Sequence, residues 1–356
     1  MCLPCIDLTQ LPTYPKLRRV GSMGVPIGDL LPRTKIEIEQ IDSVAIDAFN
    51  AIYQFLSIIR QRDGTPLMDN AGRITSHLSG LFYRTAYIIE AGVRPVYVFD
   101  GEPPEWKKDT VLKRKETREN ATREWEQARA EGRADAFKYA QASTRLDEQI
   151  LESSKVLLRH LGIPTVNASS EGEAQAAYMT SKGDVSFTAS QDVDALLFGT
   201  PRLVRNLTIT GRRKLPGKNV YVRISPELIE LDDVLSSLEI NREQLIEVSI
   251  LVGTDYNKGV KGIGPKKALR MIKSVDIQRA LDNLGESLDY ERIKQLFLDP
   301  DVTHEYDLTW APVNEEALVS FLCDEHDFSR ERVESTVQRI TGARDEAAQK
   351  SLAQWL

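Results

Sequence analysis

Ser43-Val-Ala-Ile-Asp47-Ala-Phe-Asn-Ala-Ile-Tyr53 changes its period half-way. Up to Asp47 it is a short apolar run that ends in an acid. Beyond Asp47, apolar residues recur at helical spacing through Tyr53, Phe55, Leu56 and Ile59. The same alternation returns twice. Thr75 to Ala91 reads as a helix stopped by Gly92, and Arg94-Pro-Val-Tyr-Val-Phe-Asp100 is a second buried strand ending in Asp. Asp184-Val-Ser-Phe-Thr-Ala-Ser190 is a third, with Gln191-Asp192-Val-Asp194 at its end. Strands alternating with helices predict an α/β fold with a mainly parallel central sheet flanked by helices.

The 356 residues suggest about two domains. A hydrophobic share of 41% can build a core, and 28% charged residues is an ordinary globular balance. No apolar run approaches the roughly 18–20 residues of a membrane span, and no targeting signal is apparent, so the expected compartment is the cytoplasm. Three cysteines exclude a disulfide scaffold. His77, His160, His304 and His326 have no zinc-ligand spacing. The net charge of -7 argues against a uniformly basic nucleic-acid coat, though not against local patches.

Residues 1–22 read as an extension, non-native or disordered, with the functional chain opening at Met23. Cys2 and Cys5 lack the second pair that a zinc site needs. Residues 105–150 carry 11 Lys or Arg and 10 Asp or Glu, which on charge pattern alone is a solvated helical insertion. Its start is basic, with Lys107, Lys108, Lys113, Arg114 and Lys115. Thr208-Ile-Thr210 and Val220-Tyr-Val-Arg223 read as a β-hairpin with a basic tip between them. After residue 228 the pattern is mostly helical.

Acids gather where strands end. In a parallel sheet all strand carboxyl ends share one edge, and ligands bind there. Asp47, Asp100, Asp192 and Asp194 are placed on that edge. Glu171 and Glu173 precede a helical pattern, where helix capping is the competing explanation. Asp255 follows another apolar run. Close carboxylates repel unless cations screen them. Oxygen-only ligands suit Mg²⁺ or Mn²⁺ rather than zinc. Two such ions about 4 Å apart make a phosphodiester-cleaving site. Lys261-Gly-Ile-Gly-Pro-Lys-Lys-Ala268 brings flexible glycines beside Lys258, Lys261, Lys266 and Lys267, a pattern for gripping duplex backbone.

From Met23 to Leu356 the chain resembles the flap structure-specific endonuclease family, archaeal branch. The motifs are MGVPIGDLLPR, AIDAFNAIYQFL, GRITSHLSGLFYRT, PVYVFDGEPPEWK, EGEAQAAYM, ASQDVDALLFG, LVGTDYN and KGIGPKKAL, in order. The resemblance implies a PIN-like nuclease core with a helical arch and a helix-turn-helix. The implied divisions are 23–104, the arch at 105–150, an internal nuclease region at 151–280 with the helix-turn-helix near 250–275, and a helical region at 281–340. It implies Asp47, Asp100, Glu171 and Glu173 as ligands of a first Mg²⁺, and Asp192, Asp194 and Asp255 of a second, with Mn²⁺ able to substitute. Lys107 and Arg114 match the basic pair at the scissile phosphate, and Tyr53 the aromatic on which a base stacks. Arg60, Arg84, Glu171, Gly253, Asp255, Gly262, Gly264, Lys266 and Lys267 match DNA-contacting positions, with K⁺ expected at the helix-turn-helix.

The tail 349–356 looks like a sliding-clamp (PCNA) box, with Gln349, Leu352, Trp355 and Leu356 in contact. Leu356 stands where the family usually has a second aromatic. The implied activity is Mg²⁺-dependent 5′-flap endonuclease and 5′-3′ exonuclease cleavage, by a monomer, in Okazaki-fragment maturation and long-patch base excision repair. Two rivals remain: a related junction or bubble nuclease, and a non-catalytic clamp-bound DNA scaffold.

Overall fold

The computed structural model describes residues 24–61, 63–102, 107–133, 135–209, 212–214 and 221–353. The strands are β1 (Thr34–Lys35), β2 (Ser43–Asp47), β3 (Arg94–Phe99), β4 (Thr165–Asn167), β5 (Phe187–Ala189), β6 (Arg202–Arg205), β7 (Arg212–Lys214), β8 (Tyr221–Arg223) and β9 (Glu227–Glu230). The helices are α1 (Ala48–Ile58), α2 (Ser76–Glu90), α3 (Lys108–Ala130), α4 (Ala136–Ala142), α5 (Glu148–His160), α6 (Gly172–Lys182) and α7 (Asp194–Leu197). They continue with α8 (Leu231–Leu238), α9 (Arg242–Val252), α10 (Pro265–Ser274), α11 (Ile277–Leu284), α12 (Tyr290–Leu298), α13 (Glu315–Val319) and α14 (Arg330–Ala353).

One seven-stranded sheet has the order β1-β9-β6-β5-β2-β3-β4. The pairs from β6 through β4 are parallel, and β9 and β1 add antiparallel partners at one edge. The predicted α/β class with a mainly parallel sheet is therefore the observed one. β2 is buried at all five positions and β3 at all but its first, as expected for strands covered on both faces. One apolar core packs α1, α2, α5 and α14 onto the sheet, and a second gathers α7 to α12. From β2 the chain winds outward to β3 and β4, then returns to place β5 on the other side of β2. That reversal opens a crevice at the strand carboxyl ends, the place where such sheets bind ligands.

The charged segment becomes α3 and α4, packed on one another with Ala121, Ala128, Ala136 and Ala140 buried between them and their neighbours. Small apolar residues do the packing there, which explains why so few anchors were legible. Its far end docks on the loop after α1. Trp125 Nε1 donates to the Asp63 carbonyl at 3.2 Å, and Arg129 pairs with Asp63 at 3.1 Å. Arg60 closes this joint by donating to Leu56 O, Gly64 O and Thr144 Oγ1 at 2.7, 2.8 and 2.8 Å.

One reading of local structure needs correction. The hairpin pairs Arg212–Lys214 with Tyr221–Arg223, so its first strand begins after Thr208-Ile-Thr210 and includes residues assigned to the tip. The reason lies upstream: Thr208 Oγ1 donates to Gln54 and the Leu207 carbonyl is held by Arg84, which keeps that stretch on the body of the protein. Beyond residue 228 the chain is mostly helical, as expected, through α8 to α14, with β9 running to Glu230 and a non-helical strap at 300–314. Its polar groups are satisfied by the body: Trp310 Nε1 bonds Pro95 O, Thr303 N bonds Gln175 Oε1, and Ala311 N bonds Gly162 O. The 1–22 extension, the hairpin tip beyond Lys214, Trp355 and Leu356 lie outside the described residues. Among the described residues no helix is long and apolar enough to cross a membrane.

Candidate active site

Asp47 is the last residue of β2 and the N-cap of α1, with Oδ1 accepting the Asn50 amide at 3.0 Å. Capping thus explains part of its placement. Asp100 follows β3 directly, and its Oδ1 accepts the Gly172 amide at 2.7 Å. Asp192 and Asp194 follow β5. Asp192 accepts from Asn50 Nδ2 at 2.9 Å and Asp194 from the Val25 amide at 2.7 Å. Glu171 sits at the N-cap of α6 but makes no side-chain capping bond. Its Oε1 accepts instead from Tyr256 OH at 2.6 Å and Lys107 Nζ at 2.7 Å. Glu173 accepts from Ser190 Oγ at 2.7 Å. Asp255 lies in the turn after α9, a turn fixed by Thr254 Oγ1 on Asn257 Oδ1 and Asn257 Nδ2 on Ile250 O, both at 2.8 Å.

Backbone comes close behind these acids. A Cβ on Gly172 would lie 2.7 Å from Asp100 Oδ1, and one on Gly24 2.8 Å from the Asp192 Cβ.

The carboxyls strongly influence one another. Burial and then Asp100 push Asp47 up to about 7. Burial and then Asp255 push Asp194 up to about 7, against the Val25 bond. Glu173 and Asp192 are raised well above the usual carboxylate range, by burial and then by Asp194. Burial and then Glu171 raise Asp100 to about 6, against the Gly172 bond and Lys107, although Asp100 opens to water, which screens part of this pressure. Glu171 joins the set through Asp100 and Asp194, and Asp255 through Asp192 and Asp194, so all seven acids singled out in the sequence belong to one electrostatic cluster.

Two cations from the charged segment reach into it. Lys107 Nζ lies 2.7 Å from Glu171 and 3.4 Å from Asp255, and Arg114 lies 2.6 Å from Asp255. Burial works against the Lys107 charge, but Glu171 and Asp255 outweigh it and raise its pKa. Two cations cannot neutralise seven carboxylates. Among the described residues no three His, Cys, Asp or Glu side chains are drawn together closely enough to hold an ion as they stand. The donor chemistry nevertheless fits hard divalent cations: every donor is a carboxylate oxygen, and the surplus of buried like charge holds protons that cations would displace.

Comparison with known proteins gives this cluster its family. The XPG N-terminal domain model matches residues 29–121 and the XPG I-region model residues 162–255, which together contain all seven acids. The curated flap endonuclease 1 of Pyrococcus horikoshii is 58% identical over 337 residues, covering 94% of this chain and 98% of its own. The chain belongs to the flap endonuclease 1 family. The flap endonuclease 1 of Archaeoglobus fulgidus is 55% identical over 94% of this chain and all of its own. The solved flap endonuclease-1 from Methanococcus jannaschii superposes with a TM-score of 0.72 at 41% identity, covering 92% of this chain and all of that one.

Tyr53 stands on α1, with the Arg118 guanidinium of α3 5.8 Å from the centre of its ring. Gly262 and Gly264 precede α10 with open space where a Cβ would stand, and Lys266 and Lys267 are exposed at its start. Gly253 ends α9 with φ +116°, a conformation that suits glycine. Arg60 and Arg84 are held differently. Arg60 closes the α3–α4 joint, and Arg84 is 8% exposed with Nε on the Leu207 carbonyl at 2.8 Å. Burial lowers both to about 10. Of the tail, Gln349 is exposed on α14.

Sequence reasoning missed Asn50 and Tyr256. Asn50 ties Asp47 to Asp192, and Tyr256 ties Glu171 to the Asp255 turn. Both signals were present: Asn50 is three residues after Asp47, in the first helical turn, and Tyr256 directly follows an assigned acid.

Proposed function

We propose that this chain binds branched DNA and cuts it at the base of a 5′ flap, leaving a nick that a ligase can seal. The enzyme class is that of the family: a structure-specific nuclease that hydrolyses DNA phosphodiesters in replication and repair. The observation that carries the reading at residue level is the acid cluster, with Lys107 and Arg114 lodged in it.

Asp47, Asp100, Glu171 and Glu173 would hold one Mg²⁺, and Asp192, Asp194 and Asp255 a second. Such a pair activates water and stabilises the leaving oxygen during in-line displacement. The chain's own groups supply the rest. Lys107 and Arg114 stand on the rim as counter-charges for the scissile phosphate, and on DNA binding they exchange Glu171 and Asp255 for phosphate oxygens. Tyr53 offers a ring for a base next to the cut. The open glycines before α10, with Lys266 and Lys267, suit contact with duplex backbone and K⁺. Binding of this kind reads shape rather than sequence and weakens steeply with salt. Arg60 and Arg84 contribute to DNA contact by holding the α3–α4 joint and the 207–209 stretch in place.

Cleavage of a labelled double-flap DNA, with Mg²⁺ and then EDTA, by protein starting at Met23 tests this reading. Cutting at the junction in Mg²⁺ alone is the expected result. A clear preference for four-way or bubble DNA over matched flaps would overturn the substrate assignment.

The tail 349–356 is proposed to dock on the sliding clamp through Gln349, Leu352, Trp355 and Leu356. Trp355→Ala should leave intrinsic cleavage unchanged and remove stimulation by added clamp. Retained stimulation would place the docking site elsewhere.

A further inference from the structure

We infer that Tyr256 is a positioning residue for the reaction: its hydroxyl aims the Glu171 carboxylate, and its ring backs the Lys107 ammonium. The inference rests on the proposed metal-holding role of Glu171. The geometry is specific. Tyr256 OH and Lys107 Nζ both donate to Oε1 of Glu171, at 2.6 and 2.7 Å. Two bonds on one oxygen fix the carboxylate plane and leave Oε2 out of both. The Lys107 ammonium also lies 5.7 Å from the centre of the Tyr256 ring, within reach of its quadrupole.

Tyr256 can do this because it is itself held. Its ring meets Phe297 edge-on at 5.3 Å, and Phe297 is 1% exposed and packs on Phe198 at 5.0 Å. Its amide donates to Thr254 Oγ1 at 3.1 Å within the turn that carries Asp255. One side chain therefore joins the start of α6, the turn after α9 and the base of α3. A carboxylate aimed by an outer hydrogen bond loses affinity for its ion when that bond is removed, by roughly 10- to 100-fold.

Tyr256→Phe keeps the ring and removes only the hydroxyl. We expect it to melt with the parent protein and to bind Mn²⁺ at least about tenfold more weakly without DNA, read from the free-ion EPR signal. The Mg²⁺ concentration for half-maximal flap cleavage should rise in parallel, with kcat recovering at saturating Mg²⁺. Tyr256→Leu also removes the ring behind Lys107, so its kcat should stay low at saturating Mg²⁺. Unchanged Mn²⁺ binding by folded Tyr256→Phe, beside weakened binding by Glu171→Gln, overturns the aiming role alone. Unchanged binding in both overturns the metal role of Glu171, and the inference falls with it. Full kcat in folded Tyr256→Leu overturns the backing of Lys107.

Discussion

Asp192→Ala is expected to lower flap cleavage at saturating Mg²⁺ by on the order of a thousandfold or more, about 4 kcal/mol of barrier. DNA binding should survive, because the surfaces proposed to grip the duplex lie on α10 and the turn before it. The same change should not destabilise the metal-free protein at neutral pH. The sign follows from proton linkage. A carboxyl raised in the fold above its unfolded value, as Asp192 is, withdraws stability as pH rises from about 4 towards its folded pKa. Removing one acid relieves its neighbours Asp194, Asp47 and Asp255, at the cost of the bond from Asn50. In EDTA the variant should therefore melt at or above the parent above pH 7. Lost DNA binding together with lost cutting would count against the metal role of Asp192. Unchanged cutting would remove Asp192 from the reaction.

Arg114→Ala should reduce kcat by roughly a hundred- to a thousandfold, the scale seen when one positioned donor to a developing charge is removed. KM should change less, because many backbone contacts hold the duplex. In the structure Arg114 lies on Asp255 at 2.6 Å, so it has to leave that carboxylate to meet a phosphate. Arg114→Lys would keep the charge but lose the planar fork, and should recover only part of the rate. Single-turnover cleavage measures both. Parental kcat in Arg114→Ala would remove the residue from the reaction.

Much of this site was legible because a parallel sheet converts sequence position into spatial position. Asp47 and Asp100 stand after runs whose register places Asp47 opposite Val98, so both acids had to reach one edge. Glu171 and Glu173 were harder, since an acid at a helix start is ordinarily a cap. Only the geometry separates the cases: Glu171 makes no capping bond and turns to Lys107 and Tyr256. The parts that stayed hidden have another cause. The 300–314 strap carries no periodicity, because its partners are Gly162, Gln175 and Pro95, far away in sequence. The hairpin register was set by Arg84 and Gln54 holding residues 207 and 208 to the body. Arg60 and Arg84 carry charge, and charge in a sequence suggests a surface. Both are largely withdrawn from it here, with their donors on carbonyls and a threonine hydroxyl.

Gly24 and Gly172 have no functional group to lose, yet each stands directly behind an acid of the cluster. A single methyl carbon added at either position would press on Asp192 or Asp100, and at Gly24 the backbone angle of +102° opposes it as well. The alignment of the carboxylates is guarded in part by missing atoms. Inactivation of this chain can therefore arise by addition as readily as by deletion, at positions that an inventory of reactive side chains would pass over.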